Sequence, residues 1–61
     1  MITEAQALEQ DARITLMNLR VAHQKLRMLA EAADPGKRRI IREMVVDSGK
    51  LVNKMEELLR A

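Results

Sequence analysis

The chain contains no cysteine, which excludes disulfide bonds and thiolate metal ligands. Its one histidine, His23, is too few for a structural zinc site, which needs about four Cys or His ligands. We therefore predict no bound metal and no cofactor. A chain of 61 residues buries too little apolar surface to be more than marginally stable alone, and small folds without disulfides or metals usually depend on a partner. The composition thus predicts association, most simply as a homodimer.

Aromatic residues are also absent, since the chain has no Phe, Trp or Tyr. Recognition of single-stranded nucleic acid by base stacking is therefore excluded. The apolar content comes from Leu, Ile, Val, Ala and five Met, which is typical of helical bundles. No apolar run approaches the roughly 20 residues of a membrane span, and the first residues lack the basic start and apolar core of a secretion signal. We expect a soluble, cytoplasmic protein that does not contact membranes.

Proline occurs once, and Asp34-Pro35-Gly36 is the one strong interruption of the helical pattern. Because the connection is so short, the two flanking helices are expected to lie antiparallel. The predicted fold class is therefore all-α, a two-helix antiparallel hairpin that dimerises into a four-helix bundle. The predicted bounds, within a single domain spanning 1–61, are a first helix over about 4–33, a turn at 34–36 and a second helix over about 35–60.

Both predicted helices begin at recognisable capping residues. Thr3 followed by Gln6 fits a capping box, which predicts that the first helix starts near residue 4. Asp34 can cap the second helix, and Pro35 suits its first helical position.

Apolar residues recur at alternating spacings of three and four in both helices, which is the heptad pattern of helices that pack together. In the first helix this row comprises Ala5, Leu8, Ala12, Thr15, Leu19, Ala22, Leu26, Leu29 and Ala33. In the second it comprises Ile41, Met44, Ser48, Leu51, Met55 and Leu58. The row is widened on one flank by Leu16, Ala30, Val45, Val52 and Leu59. We predict that the two rows pack against each other, with Ala22 opposite Ser48.

The first helix carries a second apolar stripe on the side opposite this row, formed by Ile14, Met17, Val21 and Met28. One neighbouring helix cannot cover both sides of the first helix. Two interpretations stay open: a second subunit covers the stripe, or the stripe is a docking site for a different protein. In the second case Arg20 and Arg27 lie at its edge.

Basic residues are concentrated around the turn, and acidic residues lie mostly near the open end of the hairpin. Cations in the first turn of the second helix oppose its dipole, so they need an offsetting gain. The structural explanation is an antiparallel dimer, in which the basic turn of one hairpin lies beside the acidic open end of the other. The functional explanation is contact with phosphates or an acidic partner. The candidate phosphate contacts are Lys37, Arg38, Arg39 and Arg42.

No catalytic constellation is visible in the sequence, and we predict no catalytic residue, no enzyme activity and no small-molecule substrate. His23 has no carboxylate three or four residues away on its helix. Ser48 is expected to be a small packing residue without a nearby base. Gly36 is a turn residue and does not belong to a Gly-rich phosphate loop.

The leading functional hypothesis is a small protein-binding regulator or adaptor, which acts stoichiometrically as a homodimer through an apolar helix face. The alternative is a nucleic-acid-binding hairpin dimer that uses the basic turn. In length, layout and the alternation of small and large residues (Ala12, Leu19, Ala22, Leu26), the chain resembles the Rop class of plasmid regulators. That resemblance implies an antiparallel dimer that binds paired RNA loops. No residue motif of the class is matched, so no residue role is carried over.

Overall fold

The computed structural model describes residues 1–60, which form two helices joined by a tight turn. Helix α1 spans Glu4–Ala32 and helix α2 spans Pro35–Arg60. The helices pack antiparallel. Near mid-length a hydrogen bond joins His23 to Ser48, and towards the open end an ion pair joins the earlier residue Arg20 to the later residue Glu56. The all-α hairpin predicted from the sequence is confirmed.

Both helices begin where the sequence predicts. The Thr3 hydroxyl accepts a hydrogen bond from the Gln6 N–H at 3.2 Å, and the Gln6 side chain accepts one from the Thr3 N–H at 3.1 Å. At α2, the Asp34 carboxylate accepts the Lys37 N–H at 3.2 Å, and Pro35 is the first helical residue. These bonds satisfy N–H groups that have no partner within their own helix.

Arg38 lies in the first helical turn of α2 and connects it to the end of α1. Its guanidinium donates to the Ala30 carbonyl at 3.1 Å and to the Ala33 carbonyl at 2.8 Å. Carbonyls at the end of a helix lack partners within it, and a cation there also complements the negative end of the helix dipole. A charge that opposes the dipole of α2 therefore stabilises the end of α1, which gives Arg38 a structural role.

The residues that face the other helix match the predicted rows in part, and the remaining places are taken mainly by the predicted flank. In and just after α1, the buried and half-buried residues are Ala12, Leu16, Leu19, His23, Leu26, Ala30 and Ala33. In α2 they are Arg38, Ile41, Val45, Ser48, Val52, Met55 and Leu59, with Gly49 and Glu56 beside them. The predicted flank therefore packs within the hairpin. Part of the predicted row is exposed instead: Thr15, Ala22, Leu29, Met44, Leu51 and Leu58.

His23 occupies the place opposite Ser48 that the sequence assigned to Ala22, so that pairing was wrong. The physical reason is that the packed surface of α1 is rotated toward the predicted flank: Ala22 points out of the hairpin, and its larger neighbour points in. Gly49 makes room for the imidazole, since a Cβ at this position would lie 3.4 Å from His23 Cε1. That distance is an ordinary van der Waals contact, so the site tolerates one more methyl group.

Gly49→Ala is accordingly expected to raise the free energy of unfolding by about 0.5–1 kcal/mol, because glycine in a helix interior is entropically unfavourable. Urea denaturation at a fixed protein concentration measures the change. Gly36→Ala is the control, since it lies in the first turn of α2, where an added Cβ meets nothing within 4 Å. A loss of stability in Gly49→Ala would show that the imidazole cannot accommodate the methyl.

The hairpin is a single layer of helices. Its dimensions are 51 × 18 × 12 Å, and the shortest equals the diameter of about one helix. Among residues 1–60, no large side chain is fully buried, and the buried apolar residues are Ala12, Leu16 and Ala30. Neither helix in this range is long and apolar enough to cross a membrane. The hairpin therefore has two broad faces and almost no interior.

Candidate interaction faces

One broad face of the hairpin is apolar. In each helix, one exposed row with seven-residue spacing lies beside the residues that face the other helix. Because the helices are antiparallel, these two rows lie on the same side of the hairpin. At the open end, Leu8 and Leu58 line one groove with Ala5, Ala12 and Leu59. The apolar face comprises Leu8, Thr15, Ala22 and Leu29 of α1 and Met44, Leu51 and Leu58 of α2.

The large side chains of the apolar face are all exposed. Leu8 keeps 70% of its surface accessible, Leu51 keeps 52% and Met44 keeps 47%. Thr15 does not interrupt the face, because its hydroxyl donates to the Asp11 carbonyl at 2.7 Å and is thereby satisfied within the helix. The face therefore offers a continuous apolar surface to a partner.

The stripe singled out from the sequence lies on the side of α1 that points away from α2. Its members Ile14, Met17, Val21 and Met28 are all exposed, with 50–64% of their surface accessible. We call these four residues the outer stripe. Near the turn, Met28 and Leu29 line one shallow groove, where the outer stripe meets the apolar face. Arg20 and Arg27 are exposed beside the stripe, on the side away from the apolar face.

The second broad face is basic. An ion pair of 3.2 Å between Arg20 and Glu56 bridges the two helices there, and Glu56 also lies 3.8 Å from Arg60. Among residues 1–60, neither Arg27 nor Arg42 forms an ion pair with a carboxylate. The basic face comprises Arg13, Arg20 and Arg27 of α1 and Arg39, Arg42 and Arg60 of α2. Sequence reasoning missed this row of α1, although the seven-residue spacing of its arginines indicates it.

The four candidate phosphate contacts do not share one surface. Lys37 lies in the same row of α2 as Met44, at the turn end of the apolar face. The other three, Arg38, Arg39 and Arg42, line one shallow groove on the side of the basic face. Arg38 is half-buried and bonded to the carbonyls of the turn. The basic turn is therefore divided between two faces.

Ser48 does have a base near it, so the contrary prediction from the sequence was wrong. His23 Nδ1 lies 2.7 Å from Ser48 Oγ, and Ser48 Oγ lies 2.9 Å from the Val45 carbonyl. A hydroxyl has one proton and a carbonyl only accepts, so both bonds form together when Nδ1 donates to Oγ. A histidine that donates to serine is not acting as its general base. With Ser48 only 8% exposed, the pair is a satisfied polar layer between the helices.

No protein family, no curated protein and no solved structure matches this chain.

Proposed function

We propose that this chain is a non-enzymatic, protein-binding regulator or adaptor that acts stoichiometrically as a homodimer, with the outer stripe as its docking site. The observation that carries the proposal is that the hairpin leaves apolar residues exposed on two different sides. The apolar face and the outer stripe are both at least half accessible at most of their large side chains. Isolated exposed apolar residues are common, but rows of them mark interaction surfaces.

The two surfaces suit different roles. The apolar face spans both helices and would double the layer into a four-helix bundle, so it fits self-association. The outer stripe lies on one helix and points away from α2, so it would stay accessible in such a dimer. A single apolar helix row is the geometry by which a helix docks on an apolar groove or packs with another helix.

The edges of the outer stripe define the chemistry of the partner. Arg20 and Arg27 lie along the edge of the outer stripe that faces away from the apolar face, so they stay accessible when the apolar face is covered. We propose a partner protein that offers an apolar groove or helix with carboxylates at its rim. The apolar contact supplies most of the affinity, and the exposed charges mainly set orientation and association rate.

Val21→Glu is expected to abolish partner binding while the hairpin keeps its helicity and its dimer. The substitution places a carboxylate in the middle of the outer stripe, where it must be desolvated when a partner binds. Affinity capture with wild-type and variant protein measures binding, and circular dichroism and sedimentation measure the fold. The matched control is Asn53→Glu, which adds the same charge at an exposed position of α2.

The proposal predicts that Asn53→Glu behaves as the wild type and that Met28→Glu repeats the loss seen with Val21→Glu. If Val21→Glu instead dissociates the dimer or unfolds the chain, the outer stripe belongs to the self-association surface. The proposed docking site would then be wrong.

A nucleic-acid-binding dimer is the second candidate, and Arg27 and Arg42 of the basic face favour it, since neither forms an ion pair within residues 1–60. Its affinity would fall steeply with salt and on changing Arg39 and Arg42 to Glu. It ranks second because Arg38 is engaged in the turn and Lys37 lies on the other face. The cytoplasmic location expected from the sequence stays a prediction.

A further inference from the structure

The rim of the apolar face carries charges of both signs in a regular order. Along the outer edge of α1 lie Asp11, Asn18 and Lys25, which are spaced by seven residues. Their row lies next to the row of Leu8 and Ala22, on the side away from α2. Along the outer edge of α2 lie Asp47 and Lys54, with the same spacing. These edge positions flank any helix that packs on the apolar face, as the charged flanking positions of coiled coils do.

We infer that a second copy of this chain covers the apolar face in a head-to-tail orientation, with its turn beside the open end of the first copy. The two-fold axis then lies between the two apolar faces, at right angles to the length of the helices. This inference deepens the homodimer of the proposed function, because it assigns the dimer surface, its orientation and its ion pairs.

In this orientation α1 packs antiparallel on the partner's α1, and α2 on the partner's α2. Asp11 then lies opposite the partner's Lys25, and Asp47 opposite the partner's Lys54, each pair occurring twice by symmetry. On the apolar face itself, Leu8 lies opposite the partner's Leu29, and Leu51 lies near the axis opposite its own copy.

The ion pairs on α1 and those on α2 place the two-fold axis at nearly the same position along the length of the hairpin. The midpoint of Asp11 and Lys25 is Asn18, and the midpoint of Asp47 and Lys54 lies between residues 50 and 51. The bond between His23 and Ser48 sets that second midpoint level with residues 20 and 21 of α1. The two heights differ by about 4 Å at 1.5 Å per residue, which is within the reach of lysine side chains.

The opposite orientation, with both turns at the same end, fits less well. It packs α1 on the partner's α2, which pairs Lys25 with Asp47 but leaves Asp11 and Lys54 without opposite charges. It also leaves the start of α1 uncovered where α1 extends past the end of α2. In the head-to-tail dimer this segment is covered, because the midpoint of Glu4–Ala32 is residue 18, the same residue that the charge pairs select.

Charge reversal distinguishes the two orientations, because Lys25 is paired in both but with different residues. Lys25→Asp is expected to weaken dimerisation roughly 2- to 30-fold, since two exposed ion pairs are lost per dimer. Adding Asp11→Lys is expected to restore the affinity. Adding Asp47→Lys instead is the matched control, with the same net charge, and is expected to weaken the dimer further.

Sedimentation equilibrium of the full chain measures the dimerisation constant, with interference optics because the chain has no aromatic residue. Circular dichroism of the same samples reports the helicity. Rescue by Asp11→Lys supports the head-to-tail dimer. Rescue by Asp47→Lys, or an unchanged constant in Lys25→Asp, overturns it.

A second readout does not depend on the strength of the charge pairs. Asn18→Cys introduces the sole cysteine of the chain, next to the inferred axis. A short bis-maleimide is expected to link two Asn18→Cys chains, but not two Asn53→Cys chains. Absence of linkage in Asn18→Cys dimers contradicts the orientation. The outer stripe is tested separately with Val21→Glu, so its failure and the failure of the dimer orientation are distinguishable.

Discussion

Leu16→Ala is expected to lower the free energy of unfolding by about 2–4 kcal/mol, which is the largest effect of any single truncation in the hairpin. Leu16 is 8% exposed and is the one large apolar residue among the three that are buried in residues 1–60. Truncating a buried leucine costs its transfer free energy and leaves a cavity. The expected cost is below the upper end of the usual range because a single layer of helices can partly collapse around the gap.

Urea denaturation at a fixed protein concentration measures this loss, since the stability of a dimer depends on concentration. Met17→Ala is the matched control, because Met17 is the next residue along the helix and is 64% exposed. Its effect is expected to stay within about 0.5 kcal/mol. Equal effects of the two substitutions would contradict the assignment of Leu16 to the contact between α1 and α2.

Arg38→Ala is expected to lower the free energy of unfolding by about 2–3 kcal/mol, which is the second-largest effect. Its guanidinium donates to two carbonyls at the end of α1, and hydrogen bonds that involve a charged group contribute about 1.5–3 kcal/mol. Removal of the side chain leaves the Ala30 and Ala33 carbonyls to water and takes a cation from the negative end of the α1 dipole.

Arg39→Ala is the matched control for this prediction. Arg39 is the neighbouring arginine, its side chain is 87% exposed, and its Glu43 partner lies at 4.0 Å. Its loss is expected to change stability by less than about 0.5 kcal/mol, as is usual for exposed ion pairs. If both alanine variants unfold at the same urea concentration, Arg38 does not cap α1.

The ends of the two helices could be predicted from the sequence because their capping signals are local. Thr3 with Gln6, and Asp34 with Pro35, mark each start through bonds that span three residues. Bonds of this kind depend mainly on a few neighbouring residues in the sequence. The antiparallel packing also followed from the sequence, because a connection of two residues, Ala33 and Asp34, favours antiparallel neighbours when both helices carry an apolar stripe.

Of the two rows that pack within the hairpin in each helix, one was predicted, and the exposed neighbouring row was chosen in place of the other. The apolar stripe is three rows wide in both helices, so a heptad count finds the stripe but not the two rows that face inward. Long-range contacts decide between them: His23 fits against Gly49 and bonds Ser48, whereas Ala22 would leave that space empty. The role of Arg38 was missed because its acceptors, the Ala30 and Ala33 carbonyls, lie across the turn at the end of α1.

The candidate site was predicted in part. The exposure of Ile14, Met17, Val21 and Met28 follows from their position opposite the apolar row of α1, and the structure places all four on the accessible side. Whether a protein docks there stays a prediction. The division of the basic residues between two faces depended on the rotation of α2 about its axis, which the sequence does not specify.

The central claim is that this layer of two helices depends on a second copy to cover its apolar face. Sedimentation equilibrium over a concentration series, with helicity measured by circular dichroism in the same samples, tests it most directly. We expect a helical dimer that loses helix as it dissociates, because the separated hairpin has almost no interior. A monomer that keeps its full helicity at every concentration would contradict the claim.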